Sequence, residues 1–143
     1  MTTTHAAHRG TAMHSMTERF TDALHQIDSD RDVQPMVDLT GDDAELVKLD
    51  EHHQTRGKDG AKTFWEDYRN VFGELETTFT SSTVGETTAA LEWESRGTLR
   101  SGRPFSYRGV TVIEGDGSDD GPLTGVRTYY DSAAFLQETA GTA

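Results

Sequence analysis

The sequence predicts one α+β domain, with about three N-terminal helices packed in the concave face of a curved, mostly antiparallel sheet and a short C-terminal helix. Three observations carry this. Ala61–Phe72 holds the strongest helical period in the chain, and after Gly73 the pattern changes to alternating segments rich in Thr, Val and aromatics that run to Asp131. The chain has 143 residues, the length of a single domain. A chain of that size buries roughly 68–70% of the surface its unfolded form exposes, enough for one core.

Residues 1–14 are rich in Thr, His and Ala without an apolar period, and are expected as a flexible tail. Ser15 and Glu18 make a capping box, and Met16, Phe20, Leu24 and Ile27 then recur at helical spacing, so helix one is expected to run from Ser15 to about Asp28–Asp30. A short second helix is expected over Val33–Leu39, with Pro35 in its first turn and Gly41 closing it. Ala44–Leu49 reads as a short strand, and Asp50–Arg56 leads to Gly57-Lys-Asp-Gly60, a turn that opens helix three. There Ala61, Phe64, Trp65, Tyr68, Val71 and Phe72 form one broad apolar stripe. Each large side chain contributes about 1.5–3 kcal/mol when buried, so this helix must lie against an apolar surface.

Leu75–Ser82, Thr87–Arg100, Pro104–Ile113 and Leu123–Asp131 follow as four strands, and strands in direct succession imply an antiparallel meander. Ser101-Gly102 supplies a tight turn, and pairing about it sets Trp93 near Val110 and Leu91 near Val112 on the face toward the helices. The opposite face then carries Glu92, Glu94, Arg96, Tyr107 and Thr111. Gly115–Gly121 is acidic and glycine-rich, an exposed loop, and Ser132–Glu138 forms the last helix with Asp131 as its N-cap.

Composition narrows the function. Cysteine is absent, which removes disulfides, thiolate metal sites and thiol nucleophiles and suits a reducing cytoplasm. The formal net charge of -12 and pI near 4.7 oppose nucleic-acid backbones and anionic membranes. No run approaches the roughly 20 apolar residues that cross a bilayer, and the first residues lack the charged and apolar regions of a secretory signal, so a cytoplasmic protein is expected.

Four segments together carry a resemblance: Asp38-Leu-Thr-Gly-Asp-Asp-Ala44, Gly57-Lys-Asp-Gly60 before Phe64-Trp65, Leu91-Glu-Trp-Glu-Ser-Arg-Gly97, and Arg127-Thr-Tyr-Tyr-Asp131. In order and spacing they resemble the SnoaL-like branch of the nuclear-transport-factor-2-like superfamily, from Ser15 to Glu138, which makes 15–138 the domain and 139–143 a second tail. The resemblance implies a cone-shaped α+β barrel around a pocket and a homodimer formed through the sheet. It does not imply a reaction, because this superfamily hosts isomerases, epoxide hydrolases, polyketide cyclases and non-enzymatic binders.

Set against its enzymes, the chain departs from each pattern. Where ketosteroid isomerase resembles it, the catalytic base falls on Lys48 and the tyrosine donor on Leu24. A protonated lysine accepts no proton and a leucine donates none. The last-strand Asp of SnoaL-type cyclases and limonene epoxide hydrolase falls on Thr128, and the hydrolase's acid and Arg fall on Glu94 and Glu92. That match turns Glu94 and Thr128 toward the pocket, whereas the alternation around Trp93 turns Glu94 away. A bulge near Ser95–Gly97 would reconcile the two, but the alternation is this chain's own pattern and is preferred.

The candidate catalytic residues are Asp131, Glu94 and His53, each with a structural competitor. Asp131 ends a strand beside Tyr129 and Tyr130, yet also fits as a helix cap; Glu92 and Glu94 fit a raised-pKa pair at a cavity mouth or a solvated strand face. His5, His8 and His14 lie in the tail, His25 on the polar side of helix one, and the adjacent His52 and His53 point to opposite sides of any strand, so no metal site is expected. The expected pocket is Phe20, Phe64, Trp65, Tyr68, Trp93, Thr128 and Tyr130, around a small apolar molecule that the tyrosine hydroxyls orient, with no cofactor. Three readings follow: a small-molecule-binding domain; an acid–base enzyme (cyclase, isomerase, dehydratase or epoxide hydrolase) on a polyketide-like or terpenoid substrate; or a dimerising interaction module.

Overall fold

The computed structural model describes residues 2–135, with the backbone alone for 2–11 and 50–53. Its elements are α1 (Thr2–Asp30), α2 (Gln34–Leu39), β1 (Thr40–Lys48), β2 (Asp50–Arg56), α3 (Gly57–Asn70), β3 (Phe72–Val84), β4 (Thr88–Leu99), β5 (Pro104–Gly115) and β6 (Leu123–Tyr130). One six-stranded sheet runs in the order β2-β1-β6-β5-β4-β3. Every neighbouring pair is antiparallel except β1 and β6, which run parallel. The N-terminal helices cover the concave face, and a short helix opens at Ala133. The rest of the expected Ser132–Glu138 helix, and the 139–143 tail, lie outside the described residues.

Met13, Met16, Phe20, Leu24 and Ile27 are the buried stripe of α1, at the spacing that keeps one helical face on the core. The capping box at Ser15 does not start the helix. Its backbone continues back to Thr2, and Ala12 and Met13 are buried where α1 meets the Gly115–Pro122 turn. The expected border between a 1–14 tail and the domain therefore falls inside α1, because burial of Met13 outweighs a local capping preference. In α3 the stripe Ala61, Phe64, Trp65 sits in the core as expected. Val71 does not: it lies one residue past the helix end and is 40% exposed.

Asp50–Arg56, expected as a connection, is a strand antiparallel to β1. Its polar alternation, Asp-Glu-His-His-Gln-Thr-Arg, hides it from a hydrophobic reading, as suits an edge strand.

The hairpin β4–β5 corrects the expected register by one residue. Trp93 pairs with Gly109 and Leu91 with Thr111, not with Val110 and Val112. The loop holds three residues, Arg100-Ser101-Gly102: the Leu99 N–H donates to the Arg103 carbonyl at 2.9 Å, and Gly102 sits at φ 90°. That left-handed residue closes a three-residue hairpin loop at no steric cost. A one-residue slip exchanges the two faces of a strand, so Tyr107 and Thr111 point inward, opposite to the expectation. Gly109 is required by the same register, since a Cβ there would lie 2.2 Å from the Tyr129 carbonyl oxygen and 2.8 Å from the Trp93 ring.

Candidate functional site

β4 shows strict alternation: Ala89, Leu91, Trp93 and Ser95 are buried, whereas Thr88, Glu92, Glu94 and Arg96 are exposed. Pairing with β5 is continuous from Thr88 to Thr98, with no bulge at Ser95–Gly97. Glu94 therefore lies on the outer face while Thr128 lies on the inner one, and the two do not share a site.

The inner face, α1 and α3 enclose one cavity of about 60 Å³. α1 contributes Phe20 and Leu24; α3 contributes Phe64, Trp65 and Tyr68. The sheet contributes Trp93 from β4, Thr128 and Tyr130 from β6, and Tyr107 and Thr111 from β5. Val71, Phe72 and Phe135 complete the wall, together with Thr77, Ser95 and Lys48. The structure thus brings together Phe20, Phe64, Trp65, Tyr68, Trp93, Thr128 and Tyr130, and adds Tyr107 and Thr111, which the expected register turned outward, with Lys48 and Leu24, the positions that matched the isomerase's base and donor. The rings meet mainly edge to face: Phe64 and Trp65 have centroids 4.9 Å apart, Trp65 and Tyr68 5.6 Å, Trp93 and Tyr107 5.0 Å, and Tyr107 and Tyr130 5.5 Å.

Polar groups in the wall are mostly satisfied among themselves. The Trp93 indole N–H donates to Thr111 Oγ1 at 2.9 Å, and that hydroxyl bonds Thr128 Oγ1 at 2.9 Å. Thr77 and Ser95 hydroxyls bond each other at 2.8 Å. The Tyr68 hydroxyl donates to Asp28 Oδ1 at 2.7 Å. Asp28 is 4% exposed and stands behind Tyr68, and its Oδ2 has no hydrogen-bond partner among the described residues. Burial pushes the Asp28 carboxyl above its ordinary value; the hydrogen bond from Tyr68, the nearby Thr77 hydroxyl and the charges of Arg69 and His25 offset part of that. Burial, and then the Asp28 charge, push the Tyr68 phenol well above its ordinary range. Tyr107 and Tyr130 are pushed up as well, by burial first, so all three phenols are neutral donors and acceptors at pH 7.

Arg69, 5% exposed, holds this corner in place. Its Nε donates to the Ile27 and Asp28 carbonyls at 3.2 and 3.1 Å, and its Nη1 and Nη2 to those of Phe72 and Gly73 at 3.0 and 2.9 Å. It satisfies the C-terminal carbonyls of α1 together with those just past α3.

Two of the three catalytic candidates, Asp131 and Glu94, fall elsewhere. Asp131 is exposed, and its Oδ1 accepts the Ala133 N–H at 3.1 Å, the geometry of an N-cap on the last helix. Asp131 and Glu94 border a shallow outer groove beside Arg108, away from the cavity. His53 lies on β2, and its side chain is outside the described residues. Among the described residues no three His, Asp or Glu side chains group as metal ligands. Asp28 was missed, although it sits four residues after Leu24 and eight after Phe20 and so continues the buried stripe of α1. A carboxylate on an apolar stripe was the available signal.

A helix-lined cavity in the hollow of such a sheet is the architecture of the nuclear-transport-factor-2-like fold, and solved structures agree. An NTF2-like protein from Anabaena variabilis ATCC 29413 is 20% identical, covers 85% of this chain and 90% of its own, and superposes with a TM-score of 0.74. A provisionally named isomerase from Rhodopseudomonas palustris is 18% identical over 88% of this chain and 96% of its own, with a TM-score of 0.73. A provisionally named SnoaL-like polyketide cyclase from Jannaschia sp. CCS1 is 13% identical over 84% and 90%, with a TM-score of 0.66. At these identities the likeness is one of fold. Within that fold the chain belongs to the SnoaL-like domain family, whose profile matches residues 17–120. No relative is found among curated protein sequences. No helix among the described residues is long and apolar enough to cross a membrane.

Proposed function

We propose that the protein is a small-molecule-binding SnoaL-like domain whose ligand occupies the aromatic cavity under the sheet. One observation carries this reading: among the described residues the wall is built mainly of rings and neutral hydroxyls and carries no carboxylate or imidazole, while Asp131 and Glu94 lie outside. Its volume, about 60 Å³, exceeds the roughly 10–15 Å³ that a water needs. It is well under the roughly 300–1000 Å³ of pockets for drug-sized ligands, so the ligand is no larger than about one ring. The only two tryptophans, Trp65 and Trp93, both line the cavity and report on it. Titration with one-ring aromatics is expected to change their emission saturably and raise the melting temperature together. Emission that changes linearly without saturation, with no thermal shift, would overturn the reading. The homodimer expected through the sheet belongs to this proposal, with the outer face and its exposed Tyr129 as the contact; a solution mass near 15.8 kDa rather than twice that would remove it.

A second reading, the acid–base enzyme on a polyketide-like or terpenoid substrate, is favoured by the Asp28–Tyr68 pair. A buried carboxyl with a raised pKa, bonded to a phenol in the cavity wall, can exchange a proton with a bound molecule through the tyrosine oxygen. Asp28→Asn keeps an oxygen acceptor for Tyr68 but cannot carry the proton. On this reading it retains binding and loses turnover; unchanged turnover would remove Asp28 from the chemistry.

A further inference from the structure

Among the described residues the cavity wall contains a single charged side chain, that of Lys48. Its backbone is fixed at the end of β1, where it pairs with Thr128, and the next residue, Leu49, turns the chain away at φ 62° with its N–H on the Thr128 carbonyl at 2.9 Å. The side chain is half-buried beside the aromatic rings, and among the described residues it makes no hydrogen bond or ion pair. The buried Asp28 carboxyl does not serve as its partner: Oδ1 accepts from Tyr68, and the charges that act on Asp28 are those of Arg69 and His25. An ammonium drawn partly out of water without a partner among the described residues is a cost to the unliganded protein that an anion in the cavity removes. The sign is opposite to that of the molecule, whose net charge is -12.

We propose that the cavity is specific for a small one-ring carboxylate, its ring among Phe64, Trp65 and Trp93 and its carboxylate on the Lys48 ammonium. The inference rests on the binding reading above and adds the charge class of the ligand. The aromatic walls supply affinity for a flat ring. Lys48 selects among flat rings, since a hydrogen bond to a charged group contributes roughly 1.5–3 kcal/mol, about tenfold or more in affinity.

The test compares benzoate with benzamide, equal in shape and different in charge, by calorimetric titration of the wild-type protein, Lys48→Met and Lys48→Arg at pH 7. Benzoate is expected to bind wild type about tenfold or more tighter than benzamide. In Lys48→Met that preference disappears, with an unchanged far-UV circular-dichroism spectrum showing the variant to be folded; Lys48→Arg restores the preference. Equal binding of the two by wild type, or a preference that survives Lys48→Met, overturns the charge assignment and leaves the binding reading standing. Binding of neither overturns both.

Discussion

Asp28 carries its carboxyl inside the molecule, 4% exposed near the end of α1. By type it belongs on the surface, and helix one offers a polar side to hold it. The fold instead buries it behind Tyr68, with one oxygen bonded and the other without a partner among the described residues. Because the folded state holds its proton to higher pH than the unfolded chain, the folded form binds more protons between the ordinary value of 3.8 and the raised one. Stability must then fall as pH rises through that window. Asp28→Asn, which cannot ionise, is expected to gain on the wild type in melting temperature as pH is raised from about 4 to neutrality. A difference that stays flat across that range would show Asp28 to titrate as an ordinary carboxylate. The seven pocket residues were legible because each is an aromatic or small side chain on a segment with a clear period. Asp28 was not, since a charge is read by default as facing water and only three-dimensional enclosure shows otherwise; Lys48 was reached only as the position matching the isomerase's base.

Among the elements, α1, α3 and the four-strand meander were readable from periodicity, and β2 was hidden because nearly every residue in it is polar. The β4–β5 hairpin shows how much rests on one turn. A three-residue loop in place of a tighter one moves Tyr107 and Thr111 from the outer face to the cavity, and only the backbone angle of Gly102 reveals which loop forms. A side chain in that left-handed conformation costs roughly 1–2 kcal/mol. Gly102→Val is therefore expected to lower stability by about that amount in a denaturant titration. No loss would mean that the hairpin closes by another turn. Asp131 shows the converse, a tempting carboxylate whose capping role was written in the sequence beside the catalytic one.

Over the whole molecule, the fold was legible because helices and strands each declared one apolar face, and two such faces have to meet. What the sequence left open was the content of the hollow between them, which depends on register and on the close approach at Gly109. The cavity it encloses is small, aromatic and floored by paired hydroxyls, with Lys48 as its one charge among the described residues. That hollow, as the place where a ligand sits, is the central claim. Leu24, 6% exposed on the wall supplied by α1, allows it to be filled without touching a polar group. The decisive measurement is the calorimetric affinity of Leu24→Phe for whichever of benzoate or benzamide binds wild type more tightly. Occupation of the cavity by the new ring predicts a loss of about tenfold or more with the melting temperature nearly unchanged, since the ring enters space that was empty. Wild-type affinity in a folded Leu24→Phe variant would contradict the account and place the ligand elsewhere on the protein.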